Sequence, residues 1–578
     1  MDTNLMQWLD EEAVDSLPQQ AEIAKDAKKA SSDFRFAFGE ADLIEVIRRV
    51  TDTLQGLDTR CKKLALRSFY IADDPQAKLL LDEMADLYLI ALAENADFLS
   101  MLARSSKIDR LLPMTGSSFA AEADRLSTCY AKHLLPLLKQ EKTLIANQMQ
   151  LLEEISLSSS QFEVVKAEVR QLLQSPSRDT RARAYHSLIG QISKHKEAVE
   201  ENFLLLHTLR RSLGDQAGFA SFYEYATRRS GLADRSQIQR FRQHVQKHIA
   251  PLLGPIRAMQ WERLGITRPQ PWDTMYPAPF GVPILAAEAH PLEKTYLESL
   301  RFIFTAKVPL FETMTREGAL AFHVSGAPNG NEALRRLCIR DASPDVLSAY
   351  FPEIDQSFLL IAQVPQEMLA RRLFSATGSL LFDHSTKIKR SLFLPSCPVC
   401  PVRRAVSHSM AFLSQRAWMS FYGNMTKYAR EYDLTELVLR LPIACALDEM
   451  EEFLARARVS NMAVFRHAWR EIASRYKLAG TQADTPDLIP VEDAWLFSPM
   501  LWREPLTDVF DAMAAVSVLG TLPMGQQHQR LEACFTHLLN NEDKVEPFAR
   551  LADAGYPSSF EEETVMKAAF AIADFLGL

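Results

Sequence analysis

The chain has little cysteine and little glycine for its length. Its 578 residues include 7 cysteines and 20 glycines. An odd number of thinly spread cysteines is not a disulfide framework and is typical of reduced thiols in the cytosol, so we predict a cytoplasmic protein. The scarcity of glycine disfavours an all-β architecture with many glycine turns.

The sequence also lacks long apolar runs, a basic N-terminal segment and an excess of positive charge. No run of about 18 apolar residues is present, which argues against a transmembrane helix. The polar start, Met1–Leu5, does not have the basic and apolar regions of a signal peptide. A net charge of -8 gives no electrostatic footprint for nucleic acid. We therefore predict neither a membrane nor a nucleic acid as a partner.

What the sequence does contain is helical periodicity. Apolar residues recur at the i, i+3, i+4, i+7 spacing of an amphipathic helix, for example at Leu43, Val46, Ile47 and Val50. Similar patterns continue to about residue 265. Proline and glycine then become frequent between residues 275 and 350, which predicts loops between helices. The apolar piece Phe358–Val364 is predicted to be a strand, at the edge of a small sheet.

Several segments resemble one known family when they are taken in order. They are Gly218–Tyr225, Pro271–Asp273, His408–Met410, Leu441–Phe453 and Trp495–Pro505. These segments are similar to the M3 family of zinc peptidases, in particular to the oligoendopeptidases of the F type. The resemblance runs from about residue 160 to the end of the chain. In Leu441–Phe453 it implies a helix that begins at Pro442.

The resemblance implies a fold and a division of the chain. The implied fold is mostly α-helical and elongated, with a deep central cleft and a small β-sheet beside it. Residues 1–30 are polar and are predicted to be a loosely attached leader. Residues 31–200 would form an N-terminal helical lobe, and residues 201–578 would form the peptidase-like domain.

The metal helix of the family carries H-E-x-G-H, and the corresponding positions have changed here. They are occupied by Ser375, Ala376, Thr377, Gly378 and Ser379. In the motif, two histidines four residues apart lie on one helix face and bind one zinc ion, while the glutamate activates the bound water. Zinc is held by thiolate, imidazole or carboxylate, so a hydroxyl and a methyl group are poor replacements. Only the glycine is kept.

Two further positions of the implied site have also changed. The third ligand of the family is the glutamate of an E-x-H-S-M helix, and Val406 stands at that position. Met500 stands where the family carries a histidine that binds substrate and stabilises the oxyanion. We therefore predict no catalytic residue of this chemistry, no zinc and no other cofactor.

The first hypothesis for function is an inactive relative of the peptidases that binds a peptide or a partner protein in the cleft. Cleft residues would then carry the function. The candidates are His384, His408, Asp448, Glu449 and Trp502.

The second hypothesis is an enzyme with a rebuilt active site in the same cleft. A serine beside a histidine could act as nucleophile and base, and two histidines with a carboxylate could hold a relocated metal. Either possibility requires the polar residues of this region to lie together. They are Ser375, Ser379, Asp383, His384, His408, Asp448 and Glu449.

Cys397 and Cys400 form an isolated C-x-x-C pair. Such a pair can supply half of a zinc site or act as a redox dithiol. Three prolines surround the pair and no second pair is present, so a structural loop is the alternative interpretation.

Overall fold

The computed structural model of this chain is built almost entirely of helices. It describes residues 19–70, 75–154, 167–231, 235–276, 282–286, 292–303, 320–324, 346–351, 356–361, 364–389, 392, 394, 400–457, 459, 461–480, 486–497, 499–522, 527–540 and 546–578. Within these ranges the strands form one small sheet. The predicted fold class, mostly α with a small β-sheet, is confirmed.

In the first half of the chain the described regular elements are all helices. Its helices are α1 (Gln20–Phe36), α2 (Glu40–Tyr70), α3 (Pro75–Glu94), α4 (Ala96–Ala103), α5 (Leu112–Thr115), α6 (Phe119–Cys129), α7 (Leu135–Glu154), α8 (Ala167–Leu173), α9 (Arg178–Gln216), α10 (Phe222–Arg229), α11 (Arg235–His248), α12 (Leu253–Arg263) and α13 (Leu292–Ile303). Polar side chains cap several of them. Ser221, for example, accepts a hydrogen bond from the backbone N–H of Glu224 at the start of α10.

The second half contains the sheet and the helices that surround the candidate site. Its elements are β1 (Leu320–Val324), β2 (Val346–Phe351), β3 (Gln356–Ile361), α14 (Gln366–Lys389), α15 (Pro401–Ser414), α16 (Met419–Tyr422), α17 (Thr426–Arg456), α18 (Met462–Arg475), α19 (Pro499–Trp502), α20 (Thr507–Leu519), α21 (Gln527–Asn540), α22 (Pro547–Asp553) and α23 (Glu562–Leu576). Helices α14 and α15 pack along each other, and α20 packs against both α15 and α17.

The predicted strand exists, but its place in the sheet differs from the prediction. β3 lies in the middle of the order β1-β3-β2, pairing parallel to β1 and antiparallel to β2. Its residues Phe358–Ile361 are fully buried. A central strand with both faces covered is expected to be continuously apolar, which explains the run of hydrophobic residues.

The predicted boundaries of the leader and the lobes fall inside helices. Residues 1–18 lie outside the described residues, but α1 begins at Gln20 and buries Ile23, Ala27 and Phe34. Its described part is therefore packed and not a loose leader. The predicted boundary at residue 200 lies within α9, which is a single helix of 39 residues.

The Pro271–Asp273 segment is a structural clamp. It forms a short 3-10 turn in which the carboxylate of Asp273 is fully buried and accepts hydrogen bonds from Arg178 and Arg181 of α9. The preceding helix, α12, has already ended at Arg263. The segment thus fixes the loop after α12 to α9 by buried, charge-assisted hydrogen bonds.

No described helix has both the length and the apolar character that a crossing of the bilayer requires.

Candidate functional site

The centre of the site is the close contact between α14 and α15. A Cβ atom added at Gly378 would lie 2.8 Å from both the Cα of Ser407 and the carbonyl oxygen of Val406. Only glycine therefore lets the two backbones approach this closely. Beside this contact the hydroxyl groups of Ser379 and Ser407 are 2.8 Å apart. The glycine of the motif is thus explained by packing, without reference to a metal.

The other motif positions have different surroundings. Ser375 and Ala376 are half-buried on the face of α14 that also carries Ser379. Thr377 points elsewhere, because its hydroxyl donates to the carbonyl oxygen of Leu373 and pairs with the hydroxyl of Tyr296 at 2.8 Å. The site face of α14 therefore presents two hydroxyl groups and one methyl group.

The residue of α15 that meets Ser379 is Ser407, whose hydroxyl lies 2.8 Å from that of Ser379. Arg404 precedes Ser407 by three residues and so lies on the same side of the helix. Val406 is rotated by roughly 100° from Ser407 and is fully buried. The assignment of the family's third ligand position to Val406 stays a prediction, and by helical spacing Arg404 lies on the side of α15 that carries Ser407.

A chain of charged hydrogen bonds and one ion pair links four helices next to this contact. We call it the ion chain, and its members in order are Asp433, Arg371, His408, Asp511 and Arg404. The Arg371 guanidinium donates to Asp433 at 2.8 Å and to Nδ1 of His408 at 3.0 Å. Nε2 of His408 is 3.0 Å from Asp511, and Arg404 is 3.8 Å from the same carboxylate.

The ion chain defines the tautomer of His408. A guanidinium group has no acceptor, so Nδ1 of His408 must be unprotonated where it meets Arg371. The proton is then on Nε2, which donates to the carboxylate of Asp511. Burial alone would raise the pKa of Asp511, but His408 and Arg404 hold it well below its usual range. Asp511 is therefore an ionised carboxylate whose side chain keeps 31% of its surface exposed.

Asp508 lies one turn before Asp511 on α20 and has the opposite protonation tendency. Burial, followed by the charge of Asp511, raises the pKa of Asp508 to about 7, although Arg404 and Arg440 oppose the shift. Two neighbouring carboxyl groups therefore differ widely in acidity. Such separation is common where acid–base chemistry or ligand binding occurs.

Solved structures share the fold of this chain over nearly its whole length. A protein described as an oligoendopeptidase F has a TM-score of 0.81 at 18% identity and covers 98% of both chains. PZ peptidase A, solved with an inhibitor, has a TM-score of 0.81 at 18% identity over 97% of this chain and 98% of its own. A protein from Bacillus anthracis described as an oligoendopeptidase F has a TM-score of 0.79 at 17% identity over 98% of both chains. The chain has the oligoendopeptidase F fold.

This likeness is seen in structure and not in sequence comparison. No protein-family model matches the sequence, and no curated protein matches it. At 17–18% identity the solved structures establish the oligoendopeptidase F fold but not an activity.

The residues at the positions where the resemblance implies a zinc ion do not fit that metal. The site face offers the side chains of Ser375, Ala376 and Ser379 from α14, and those of Ser407 and Arg404 from α15. None of these is an imidazole, thiolate or carboxylate. Across the described parts of the chain, no group of three or more His, Cys, Asp or Glu residues is arranged to hold a metal ion.

The structure does not bring the predicted alternative site together. Asp383 pairs with Arg403 at 2.9 Å. His384 is 2% exposed, and its ring lies 4.5 Å from the ring of Tyr350 on β2. His408 is engaged by the ion chain, and Ser379 pairs with Ser407. Each polar group thus has a different partner, and the described contacts contain no serine–histidine pair of the predicted kind.

The acidic pair of α17 belongs to the packing between helices. Asp448 is fully buried and accepts hydrogen bonds from the Tyr223 hydroxyl at 3.0 Å and from Arg242 at 2.9 Å. Burial raises its pKa to about 6 despite the arginine. Glu449 accepts from Tyr476 at 2.9 Å. The helix is not led by a proline, because Pro442 lies in the interior of α17.

The remaining predicted residues do not form a binding surface in the described structure. The Trp502 side chain is fully buried, and its carbonyl oxygen accepts from Arg210 at 3.2 Å. Met500 lies in the short helix α19. Cys400 is the half-buried residue immediately before α15, which begins at a proline, whereas Cys397 lies outside the described residues.

Sequence reasoning missed the charged residues of the site. They are Arg371, Arg372, Arg404, Asp433, Glu436, Arg440, Asp508 and Asp511. Most of them are separated by tens of residues, and single charged residues in amphipathic helices are usually solvated. The one local signal was spacing: Arg372 lies four residues before Ala376 and seven before Ser379, which is one face of a helix.

Proposed function

We propose that this protein is a catalytically inactive relative of the oligoendopeptidases, which binds a peptide or a partner protein without zinc-dependent hydrolysis. One observation carries the proposal. At the positions where the resemblance implies a metal site, Ser379 of α14 pairs with Ser407 of α15, and the cation Arg404 lies one turn before Ser407. A guanidinium group has no lone pair for a metal and repels a divalent cation.

Peptides are the preferred class of ligand because of the fold. The implied cleft of the family accepts oligopeptides, and a structure with this fold, PZ peptidase A, was solved with an inhibitor. Half-buried polar side chains such as Ser375 and Asp511 could bind peptide groups even without catalysis. A partner protein could offer the same chemistry through an extended segment. The thinly spread cysteines favour a cytoplasmic location for this binding.

The test is a combined measurement of metal content, hydrolysis and binding. Protein purified without chelator or metal-affinity resin is analysed by elemental mass spectrometry, and then incubated with a pool of fluorogenic peptides with and without added zinc. We expect far less than one metal per chain and no turnover. Fluorescence polarisation with short labelled peptides should still detect binding. Hydrolysis that a chelator abolishes and zinc restores would refute the proposal.

An enzyme with a rebuilt site is the second candidate. The observation in its favour is the Asp508–Asp511 pair, whose two pKa values are driven apart within a half-exposed cluster. Such an enzyme would turn over peptides without metal, and Asp508→Asn would abolish turnover while binding remained. Replacing both His384 and His408 by alanine tests the alternative in which these histidines act as a base or as metal ligands. Activity that survives both replacements cannot depend on them.

A further inference from the structure

Helix α23 carries apolar side chains on its outer face as well as on its inner face. The helix packs against α11 and α20, and its inner face buries Val565, Ala568 and Ile572. On the opposite face Phe570 is 63% exposed and Met566 is 37% exposed. A surface helix usually has polar residues on the face that points away from the core. The packing of α23 onto the core therefore does not account for its outer apolar side chains.

The outer apolar residues have the spacing of a coiled-coil seam. Four residues follow one another at intervals of four, three and four positions, which is the a/d repeat of a heptad. We call them the outer seam, and they are Met566, Phe570, Ala573 and Gly577. Ala573 is half-buried, and Gly577 is exposed directly after the last residue of the helix. Two large side chains are thus followed along one line by two small residues.

This order of large and small residues is self-complementary in one orientation. When two copies of α23 pack antiparallel about a two-fold axis, the first half of one helix lies against the second half of the other. The large Met566 of each copy then lies over the gap between Ala573 and Gly577 of the other copy, and the two Phe570 rings meet near the axis. A parallel pair would place small residues against small residues at one end and leave a void there.

The charges beside the outer seam favour the same orientation. Lys567 and Asp574 lie seven residues apart, on one flank of the seam, and both are exposed. In the antiparallel pair, Lys567 of each copy lies opposite Asp574 of the other. Lys567 also pairs with Glu563 of its own helix at 2.7 Å, whereas Asp574 makes no ion pair within the described part of the chain. Opposite charges on the flanks of a seam set the orientation of paired helices.

We propose that the outer seam is a docking surface for a second copy of this chain, which pairs α23 with α23 antiparallel in a symmetric dimer. A single helix of 15 residues presents less surface than the about 800 Å² per partner of a standard interface. We therefore expect a weak dimer that is populated at high protein concentration. The proposal is independent of peptide binding, because the outer seam contains no residue of the candidate functional site.

Sedimentation equilibrium of the full chain measures the dimer. The average mass of the wild type should rise from one chain towards two between about 1 and 200 µM. Phe570→Glu places two negative charges at the centre of the pair and should weaken dimerisation by roughly tenfold or more. The matched control is Phe36→Glu, because Phe36 is a 75% exposed phenylalanine at the end of α1, outside the outer seam. This control should dimerise like the wild type.

Charge reversals test the orientation of the two helices. Lys567→Glu places acidic residues opposite each other in the antiparallel pair, and Asp574→Lys places basic residues opposite each other. Each variant alone should therefore dimerise several-fold more weakly than the wild type. An equimolar mixture of the two variants should recover dimerisation, because the antiparallel heterodimer again has opposite charges at both contacts.

Three results would overturn the proposal. If the wild type keeps the mass of one chain at every concentration, the outer seam binds no second copy, which leaves a different protein as its occupant. If Phe570→Glu dimerises as well as Phe36→Glu, the dimer uses another surface. If the mixture of Lys567→Glu and Asp574→Lys dimerises no better than either variant alone, the two helices do not pair antiparallel.

Discussion

The hydroxyl groups of Ser379 and Ser407 lie 2.8 Å apart and join α14 to α15 beside Gly378. At the position where the resemblance implies the second zinc-binding histidine, the chain instead makes a neutral contact between two helices. Both serines are nearly buried, at 8% and 9% exposure. The residue at this motif position is thus part of the packing between the two helices.

This contact predicts a non-additive pair of mutations. Ser379→Ala or Ser407→Ala alone leaves a nearly buried hydroxyl without its partner, and each should lower the free energy of unfolding by about 1–2 kcal/mol. The double variant should cost little more than one single variant, because no orphaned hydroxyl remains. Urea denaturation of the four proteins measures the coupling. Strictly additive losses would mean that the two hydroxyls do not interact in solution.

Gly378→Ala should destabilise the protein by roughly 1–3 kcal/mol, because the new methyl group would meet backbone atoms of α15 at 2.8 Å. The matched control is Gly190→Ala in α9, where a Cβ has no neighbour within 4 Å. That exposed helical glycine should gain about 0.5–1 kcal/mol on substitution. Thermal denaturation of both variants measures the two changes in stability. Equal midpoints for the two would contradict the close helix contact.

Arg371→Ala should cost roughly 3 kcal/mol, because it removes the main cationic partner of the buried Asp433 and releases His408 from its fixed tautomer. Arg371→Ala combined with Asp433→Asn should recover part of the loss, since the uncompensated charge is gone. Arg470→Ala, at an exposed ion pair, should change stability by less than about 1 kcal/mol. A loss at Arg371 no larger than at Arg470 would exclude a stabilising ion chain.

Glu451 on α17 predicts a specific pH dependence of stability. Burial raises its pKa to about 8, even though Arg210 attracts the charged form. Between its unfolded pKa and pH 8 the folded state retains a proton that the unfolded state has lost, so stability falls as pH rises. The fall from this one group is ~1.4 kcal/mol per pH unit within that window.

Glu451→Gln removes the contribution of this carboxyl group to the pH dependence of stability. The variant should resemble the wild type near pH 4.5 and become progressively more stable than it up to about pH 8. Glu298→Gln, at a side chain that is 63% exposed, is the control and should show no such trend. Urea midpoints over the pH range provide the measurement. A difference between Glu451→Gln and wild type that does not vary with pH would disprove the raised pKa.

Building a metal site tests which side of α15 faces α14. Ser375→His, Ala376→Glu and Ser379→His together place two imidazoles and a carboxylate on the site face of α14. Adding Arg404→Glu should tighten zinc binding by roughly tenfold or more, as measured by competition with a chromophoric chelator. Adding Val406→Glu should not, because Val406 is fully buried on another side of the helix. Tighter zinc binding with the glutamate at Val406 would support the prediction from the sequence that Val406 stands at the third ligand position.

Much of the fold could be predicted because it depends on local patterns. Residues such as Leu43, Val46 and Ile47 repeat with the period of a helix, and this period is visible without any neighbour. The strand at Phe358 is predicted by a run of apolar residues. Its central position is not, because strand order depends on pairing across the chain. From the sequence, Gly378 is only a residue that matches the motif. The structure shows that its close contact with α15 requires glycine.

The sequence by itself determined that the chain is helical and that Ser375, Ala376 and Ser379 stand at the positions where the resemblance implies the zinc motif. Those statements need only residue identity and periodicity. The tertiary structure decided that Ser379 meets Ser407, and that Arg371, His408 and Asp511 form one chain. His408 and Asp511 are 103 residues apart. Their meeting depends on how α14, α15 and α20 pack, and helical periodicity contains no information on that packing.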